Sequence, residues 1–339
     1  MSFTRRSLLA LTAALPFARA ARAAAPIRVG YVPVIGASAL FVMDQAGWAK
    51  EAGLDLQLRR FDSGPAAIQA FASGTLDCLA IGVAPVAIAR AKGLDVSVLT
   101  AAGTGGSAFV ATRTLADAIA ANTDRAAAFA AFRKQAGRKA KLAALPPGGV
   151  PTVALNYWLF ETGHVSPDDV EIVAMGIDAV QQALLSGSVD GGTALEPSAT
   201  IVLARDRKLV RVATATEMFP QIPGVVLAAT GAFIRDRAAD ARAMVRLVVR
   251  ATDLLRRDPA AAAPNVQAVL GGGLVEVATI AQALRSPAVG FVADPHAILE
   301  PTRALLAYEA KIGDFATAPP IEGLFATAFY DASTADTGR

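Results

Sequence analysis

The chain has 339 residues, of which 54% are hydrophobic and 18% are charged. This composition excludes an intrinsically disordered, collagen-like or coiled-coil protein, and the length suits about two domains. A single cysteine, Cys78, excludes an internal disulfide framework and a multi-thiolate metal cluster, and two histidines, His164 and His296, leave little room for a zinc site or a catalytic triad. We therefore expect no metal, no cofactor and no catalytic residue.

Residues 1–23 have the pattern of an export signal. The paired Arg5 and Arg6 precede the apolar stretch Leu8–Phe17, and small residues with A-x-A cleavage sites follow. The run Thr-Arg-Arg-Ser-Leu-Leu resembles a twin-arginine signal; an ordinary secretory signal that carries two arginines is the alternative. No cysteine lies near the cleavage site, so we expect a periplasmic protein without a lipid anchor.

Removal of the signal changes the charge of the protein. The whole chain has a formal net charge of +3, but residues 1–23 hold four arginines and no acidic residue. The mature chain therefore has 28 basic and 29 acidic residues, a net charge of −1, and carries no charge signature of nucleic-acid binding. Its longest apolar stretches, such as Leu79–Ala89, are too short to span a bilayer.

From Ile27 the sequence alternates between strand and helix patterns, which predicts an α/β fold with mostly parallel sheets. The first series predicts strands over Ile27–Val32, Leu54–Leu58, Cys78–Gly82 and Val96–Ala102, and helices over Ala39–Lys50, Pro65–Ser73 and Ala84–Lys92.

A second series of the same kind begins near Lys141, after an alanine-rich, helical stretch over Leu115–Arg138. From about Ala228 the chain is mainly helical. The second series predicts strands over Lys141–Leu145, Val170–Ala174 and Leu209–Ala215, and helices over Thr152–Thr162, Ala179–Ser186 and Pro197–Arg207. The last segment predicts helices over Ala238–Arg256 and Ala297–Ile312, with breaks at Pro259–Pro264 and Gly271–Gly273.

The two series repeat each other. Ser73–Asp77 (SGTLD) matches Ser186–Asp190 (SGSVD), and each copy follows an apolar helix and precedes a short strand. This order predicts two lobes of similar construction; one large sheet with recurring turns is the alternative. The stretches Ala108–Thr112 and Gly224–Thr230 are candidate crossings between the lobes. The predicted division is 26–110 plus 228–339 for lobe 1 and 111–227 for lobe 2.

Ligands of open α/β sheets bind beyond the carboxyl ends of the strands. The loops expected there are rich in glycine, serine, threonine and proline and poor in charge. The loop 146–152 leads into a helix, whose first N–H groups can hold an anion, although an ordinary strand-to-helix turn has the same pattern. Glu196 could accept a hydrogen bond from a ligand or cap the following helix, and Tyr31 is a candidate pocket residue.

The sequence offers no nucleotide-binding or nucleophile motif in the structural context that such a site needs. Gly103–Ala108 satisfies G-x-G-x-x-A, but a strand pattern follows it where a dinucleotide site needs a helix. Neither a Walker-type phosphate loop nor a G-x-S-x-G nucleophile elbow occurs in the sequence. We therefore expect a binding protein and not an enzyme.

Four stretches share the order of motifs of a known family. Residues 27–58 read as strand, loop, helix and a Gly-Leu-Asp strand, and residues 63–99 as helix, Gly-x-x-Asp, strand, helix and glycine. Residues 146–173 contain a glycine loop, a helix and a strand, and residues 179–201 a second Gly-x-x-Asp followed by a Glu-Pro turn. The chain thus resembles the exported solute-binding proteins of ABC importers of the nitrate/sulfonate/taurine type, also called SsuA/THI5-like.

The resemblance implies a hinged, two-lobed type II periplasmic-binding fold that closes on a small ligand and docks on an importer permease with its ATPase. A monomer that binds a small organic anion or zwitterion (sulfonate, nitrate, taurine or carboxylate-like) is the expectation, because few arginines or lysines lie on the strand-end loops. The alternatives are an exported pyrimidine- or thiamine-precursor-binding protein, a sensor module, and an enzyme on the same fold. By position, the resemblance implies ligand contacts at Ser38, Ser63, Gly64, Ala84, Thr104, Gly106, Gly149, Thr152 and Glu196.

Overall fold

The structure, a computed structural model, describes residues 25–313 and 316–335. The predicted export signal, residues 1–23, lies outside the described residues. The strands are β1 (Ile27–Tyr31), β2 (Leu56–Arg60), β3 (Cys78–Gly82), β4 (Val96–Ala101), β5 (Thr104–Gly105), β6 (Ser107–Thr112), β7 (Ala140–Ala144), β8 (Val170–Ala174), β9 (Gly191–Leu195), β10 (Leu209–Thr214), β11 (Val225–Thr230) and β12 (Val289–Gly290).

Helices cover both sheets and form the C-terminal part of the described chain. They are α1 (Ser38–Gln45), α2 (Trp48–Glu51), α3 (Gly64–Ala72), α4 (Val83–Ala91), α5 (Arg113–Ala120), α6 (Arg125–Ala136), α7 (Val150–Asn156), α8 (Ile177–Ser186), α9 (Ser198–Arg205), α10 (Ala215–Met218), α11 (Gly231–Asp236), α12 (Ala238–Arg257), α13 (Pro259–Leu270), α14 (Val277–Leu284), α15 (Leu299–Lys311) and α16 (Ala328–Ala335). A wider π-helical turn over Tyr157–Glu161 continues α7.

Ten of these strands form two five-stranded sheets of the same construction, and β12 pairs antiparallel with β5 in a separate two-stranded sheet. The first has the order β2-β1-β3-β11-β4 and the second the order β8-β7-β9-β6-β10. In each sheet the fourth strand, β11 or β6, pairs antiparallel with its neighbours, while the strands on one side of it pair parallel. The predicted mostly parallel α/β fold is therefore confirmed.

The antiparallel strand of each sheet follows a crossing from the other sheet. The chain passes from β4 to β6 through residues 102–106 and returns from β10 to β11 through residues 215–224. We call residues 25–101, 225–313 and 316–335 the first half, and residues 107–214 the second half. The predicted lobe boundaries after residues 110 and 227 fall inside β6 and β11. Each of these strands pairs along its whole length with the sheet that the chain has just entered, so we place the division in the crossing segments before them.

The sequence repeat marks equivalent positions in the two sheets. Asp77 precedes β3, and its carboxylate accepts the backbone N–H of Arg28 in β1 at 2.8 Å. Asp190 precedes β9, and its carboxylate accepts the backbone N–H of Lys141 in β7, also at 2.8 Å. A guanidinium donates to each carboxylate as well, from Arg28 in the first half and from Arg138 in the second. The predicted similarity of the two halves is thus confirmed.

Three helix predictions need correction. The predicted helix Ala39–Lys50 is two helices, because Gly47 adopts a φ of 79° between α1 and α2. The stretch Leu115–Arg138 is also two helices, and Asp124 caps the second by accepting the N–H of Ala126 at 3.0 Å. The predicted break over Pro259–Pro264 is wrong, because both prolines lie within helix α13.

Helix α13 begins at Pro259, where a helix needs no N–H group from its first residue. The carboxylate of Asp258 caps it by accepting the N–H of Ala261 at 2.9 Å. Pro264 lies one turn further on and removes a single backbone hydrogen bond. The helix then ends at the predicted glycine break, since Leu270 precedes Gly271.

The core is continuous between the sheets and the helices around them. Phe41 and Met43 of α1 are fully buried, and α1 packs against α12 and α13. Phe129 and Phe132 of α6 are buried at the second sheet. Within residues 25–313 and 316–335, no helix has the length and apolar character that crossing a membrane requires.

Candidate functional site

A cavity lies between the two halves, and strand ends and helix starts from both halves form its walls. The space that a water-sized sphere can enter is about 50 Å³. On this measure each water needs roughly 10–15 Å³, so the cavity has room for a compact group of a few non-hydrogen atoms. Its lining residues are Val32, Val34, Ser63, Gly64, Gly82, Pro85, Gly105, Leu145, Gly149, Val150, Pro151, Ile177, Leu195, Gly224 and Val225.

The first half contributes the start of α3. Ser63 precedes this helix in an extended conformation, and its hydroxyl accepts the N–H of Ala66 at 3.3 Å. Gly64 follows, and a Cβ atom there would lie 2.7 Å from Cγ of Pro85. A glycine is therefore required for α3 and α4 to begin side by side at the cavity wall.

The second half contributes the loop 146–152, which the sequence singled out. Gly149 and Pro151 line the cavity where α7 begins. Thr152 is buried, and its hydroxyl donates to the carbonyl of Leu145 at 2.7 Å. This bond ties the loop to the strand before it, so Thr152 positions the glycine segment and does not itself line the cavity.

Glu196 is almost completely buried at the end of β9. Its carboxylate accepts the N–H of Thr200 at 2.9 Å and so stabilises the first turn of α9. Its carbonyl accepts the N–H of Ile35 at 2.8 Å, which joins the two halves. Of the two roles predicted for Glu196, the structure shows the helix cap; a ligand contact stays a prediction.

The remaining predicted residues are not among those that line the cavity. Tyr31 is buried, its ring meets that of Phe41 edge-on at 5.1 Å, and burial raises the pKa of its phenol. Ser38 is fully buried, and its hydroxyl has no hydrogen-bond partner among the described residues. Ala84 is buried in α4, Thr104 lies in β5, and Gly106 donates its N–H to the carbonyl of Ala288 at 2.6 Å.

Ser63, Gly64 and Gly149 are thus the predicted residues that line the cavity. Sequence reasoning missed the apolar part of the lining, which includes Leu145 and Leu195. Both lie at the carboxyl end of a strand, and that position was an available signal. The pattern does not single them out, because an apolar residue at a strand end also fits an ordinary core.

The cavity has no charged side chain among its lining residues in the described part of the chain. Three helices of eight residues or more begin at it, α3 with Gly64, α4 directly after Gly82 and α8 with Ile177. The first N–H groups of a helix have no partner within it and carry partial positive charge. The described residues contain no group of three or more histidine, cysteine, aspartate or glutamate side chains suited to a metal ion.

Comparison with known proteins identifies the class. A model of the NMT1-like family matches residues 20–270, so the chain belongs to the NMT1-like family. A binding protein of Brucella abortus (strain 2308) is 25% identical over 260 residues, which is 75% of each chain. This result confirms the family that the sequence resembles.

Solved structures confirm the fold. The periplasmic nitrate-binding protein NrtA from Synechocystis PCC 6803 superposes with a TM-score of 0.79 at 12% identity, over 92% of this chain and 88% of that one. The alkanesulfonate-binding protein SsuA from Xanthomonas axonopodis pv. citri, bound to MOPS, gives a TM-score of 0.67 at 17% identity, over 87% and 96%. The chain therefore has the two-lobed fold of periplasmic binding proteins that the sequence predicted.

Proposed function

We propose that this protein is the extracytoplasmic solute-binding component of an ABC importer and that it holds a small solute between its two halves. The cavity is the observation that carries the proposal, because residues of both halves line it. In the closed form, in which the halves meet, a solute in the cavity makes contacts with both halves. It lacks some of these contacts in the open form, in which the halves are apart. Closure is then driven by the difference in affinity between the two forms.

The lining favours a compact solute with at most one negative charge. A buried charge needs an opposite charge or several hydrogen bonds, and the cavity offers helix starts and one serine hydroxyl but no cation. A sulfonate, nitrate, taurine-like zwitterion or carboxylate of a few non-hydrogen atoms suits this chemistry. The lining has no aromatic ring among the described residues, so a pyrimidine or thiamine precursor would find no stacking partner there.

The proposal includes location and partners. We infer export to the periplasm by the twin-arginine type of signal in residues 1–23, without a lipid anchor, and action as a monomer. The closed form would dock on an importer permease and its ATPase. The family and the likeness to NrtA and SsuA support this assignment.

A thermal-shift screen with sulfonates, nitrate, small carboxylates, taurine and pyrimidines tests the proposal. A true ligand at a hundredfold excess over its dissociation constant should stabilise the protein by roughly 2.7 kcal/mol. The solute recovered from the complex should be chemically unchanged, which separates a binding protein from an enzyme on this fold. No shift with any member of the panel, or an altered solute, would contradict the proposal.

One serine and one threonine, each of which caps the start of a helix, provide a matched pair of variants. Ser63→Ala removes a hydroxyl that caps α3 and lines the cavity, so it should lower both stability and the ligand-induced shift. Thr230→Ala removes a hydroxyl that caps α11 by accepting the N–H of Phe233 at 3.0 Å, away from the cavity. It should lower stability by a similar amount, about 1 kcal/mol, and leave the ligand-induced shift unchanged.

A further inference from the structure

The two halves touch at one edge of the cavity through a continuous pair of segments. Strand β2 ends at Arg60, whose guanidinium forms an ion pair with the carboxylate of Asp178 in the first turn of α8. The N–H of Ile177 donates to the carbonyl of Asp62 at 3.4 Å. Gly176 lies so close that a Cβ atom there would be 3.3 Å from Cβ of Asp62.

This contact is the outer side of the cavity wall. Ser63 and Gly64, which directly follow the first segment, line the cavity, and so does Ile177 of the second. Arg60 and Asp178 lie outside the lining, with 46% and 67% of their side chains exposed. The same two segments therefore enclose the solute space with their inner residues and pair with each other through their outer ones.

We propose that the Arg60–Asp178 ion pair is a latch that favours the closed form and sets solute affinity without touching the solute. The proposal rests on the function proposed above and deepens it. Arg60 belongs to the first half and Asp178 to the second, so the pair exists when the halves are together and is lost when they part. Any contact confined to the closed form raises its population, and apparent affinity rises in proportion.

The charges around the pair define its strength. Asp62 is a second carboxylate 3.7 Å from the Arg60 guanidinium, on the same segment as Arg60. An exposed ion pair has a modest effect that salt screens, so the latch should change the ratio of closed to open form by about two- to fivefold. Another pair across the halves, Lys311 with Glu161 at 2.6 Å, stays intact in every variant below.

The experiment measures closure without any solute. Spin labels on the exposed positions Gln57→Cys in β2 and Glu171→Cys in β8 report the distance between the halves, and Cys78 is buried and does not compete for label. Arg60→Gln and Asp178→Asn should each lower the ratio of closed to open form by the stated factor, and the double variant should lower it no further. Sodium chloride should lower the closed-to-open ratio of the parent protein more than that of Arg60→Gln, in which only the Lys311–Glu161 ion pair is left for salt to screen.

Arg235→Gln is the matched control. Arg235 pairs with Asp95 at 3.1 Å, both side chains are exposed, and both residues belong to the first half. Its loss should leave the distance distribution unchanged. Equal distributions for all variants, or no closed population in the parent protein, would overturn the latch. If the distance distributions change as expected while the solute screen is negative, the proposed solute class is wrong and the latch stands. If a solute binds but the distance distributions of all variants are equal, the latch is wrong and the proposed function stands.

Discussion

At the scale of single residues, two aspartates stabilise the same place in each sheet. Asp77 accepts hydrogen bonds from the backbone N–H and the guanidinium of Arg28, at 2.8 and 2.9 Å. Burial of the Asp77 carboxyl opposes its ionisation, but the hydrogen bonds and charge of Arg28 outweigh burial and hold its pKa below the usual value. The ionised carboxylate therefore stabilises the folded protein.

Asp77→Asn should lower the free energy of unfolding by about 1–3 kcal/mol at pH 7, because the ionic hydrogen bonds weaken. Since the pKa of Asp77 is lowered on folding, its contribution is complete above the unfolded value near 4 and is lost as the pH falls through the lower folded value. Urea unfolding at pH 7, 5 and 3.5 should thus show a difference between parent and variant that shrinks toward pH 3.5.

Asp168→Asn is the control for this measurement. Asp168 pairs with Lys139 at 3.4 Å, with 80% of its side chain exposed, so its loss should change stability little at any of these pH values. A difference for Asp77→Asn that stays constant from pH 7 to 3.5 would contradict the role assigned to the carboxylate.

At the scale of elements, the two crossing segments lie against each other. The N–H of Ala102 donates to the carbonyl of Val225 at 2.9 Å, and that of Gly105 to the carbonyl of Ile222 at 3.3 Å. Gly224 approaches so closely that a Cβ atom there would lie 2.6 Å from the carbonyl oxygen of Gly103. Because the contact involves backbone, a side chain cannot be accommodated by a rotamer change.

Gly224→Ala should therefore lower the free energy of unfolding by about 1–3 kcal/mol, the usual cost of overpacking. Gly149→Ala is the matched control, since its Cβ atom would meet nothing closer than 3.4 Å. Thermal unfolding of both variants without solute measures the difference. Equal unfolding temperatures for Gly224→Ala and Gly149→Ala would contradict the prediction and show that the crossing segments can move apart at little cost.

At the scale of the whole molecule, each half forms one wall of the same cavity, so the proposed binding needs both halves. It also needs export of the protein to the periplasm, where an importer would collect its solute. The predicted export signal supplies the second requirement. Arg5→Lys with Arg6→Lys keeps the charge of the segment but removes the arginine pair. The variant should accumulate in the cytoplasm, and cell fractionation of the native host measures it.

An unchanged periplasmic level of the double lysine variant would favour the ordinary secretory route and contradict the twin-arginine type of signal. Arg19→Lys with Arg22→Lys, which alters two other arginines of the same segment, is the matched control and should be exported.

Sequence alone determined the local elements and their repetition. The predicted bounds of Cys78–Gly82 and Val170–Ala174 are those of β3 and β8, because short apolar runs between turn residues report strands directly. The repeat at Asp77 and Asp190 marked equivalent places because each aspartate satisfies backbone of its own half. The strand-end loops, including Gly64 and Gly149, followed from the α/β pattern.

The tertiary structure decided which strand ends face each other. Periodicity along the chain carries no information on the distance between Arg60 and Asp178, which lie 118 residues apart and meet through the packing of the two halves. The apolar lining, with Leu145 and Leu195, could not be predicted for the same reason. The sequence pattern of each residue is that of a core residue, and only the packing of the two halves shows that it faces a cavity. Local pattern thus specified the two halves, and their mutual packing specified the site.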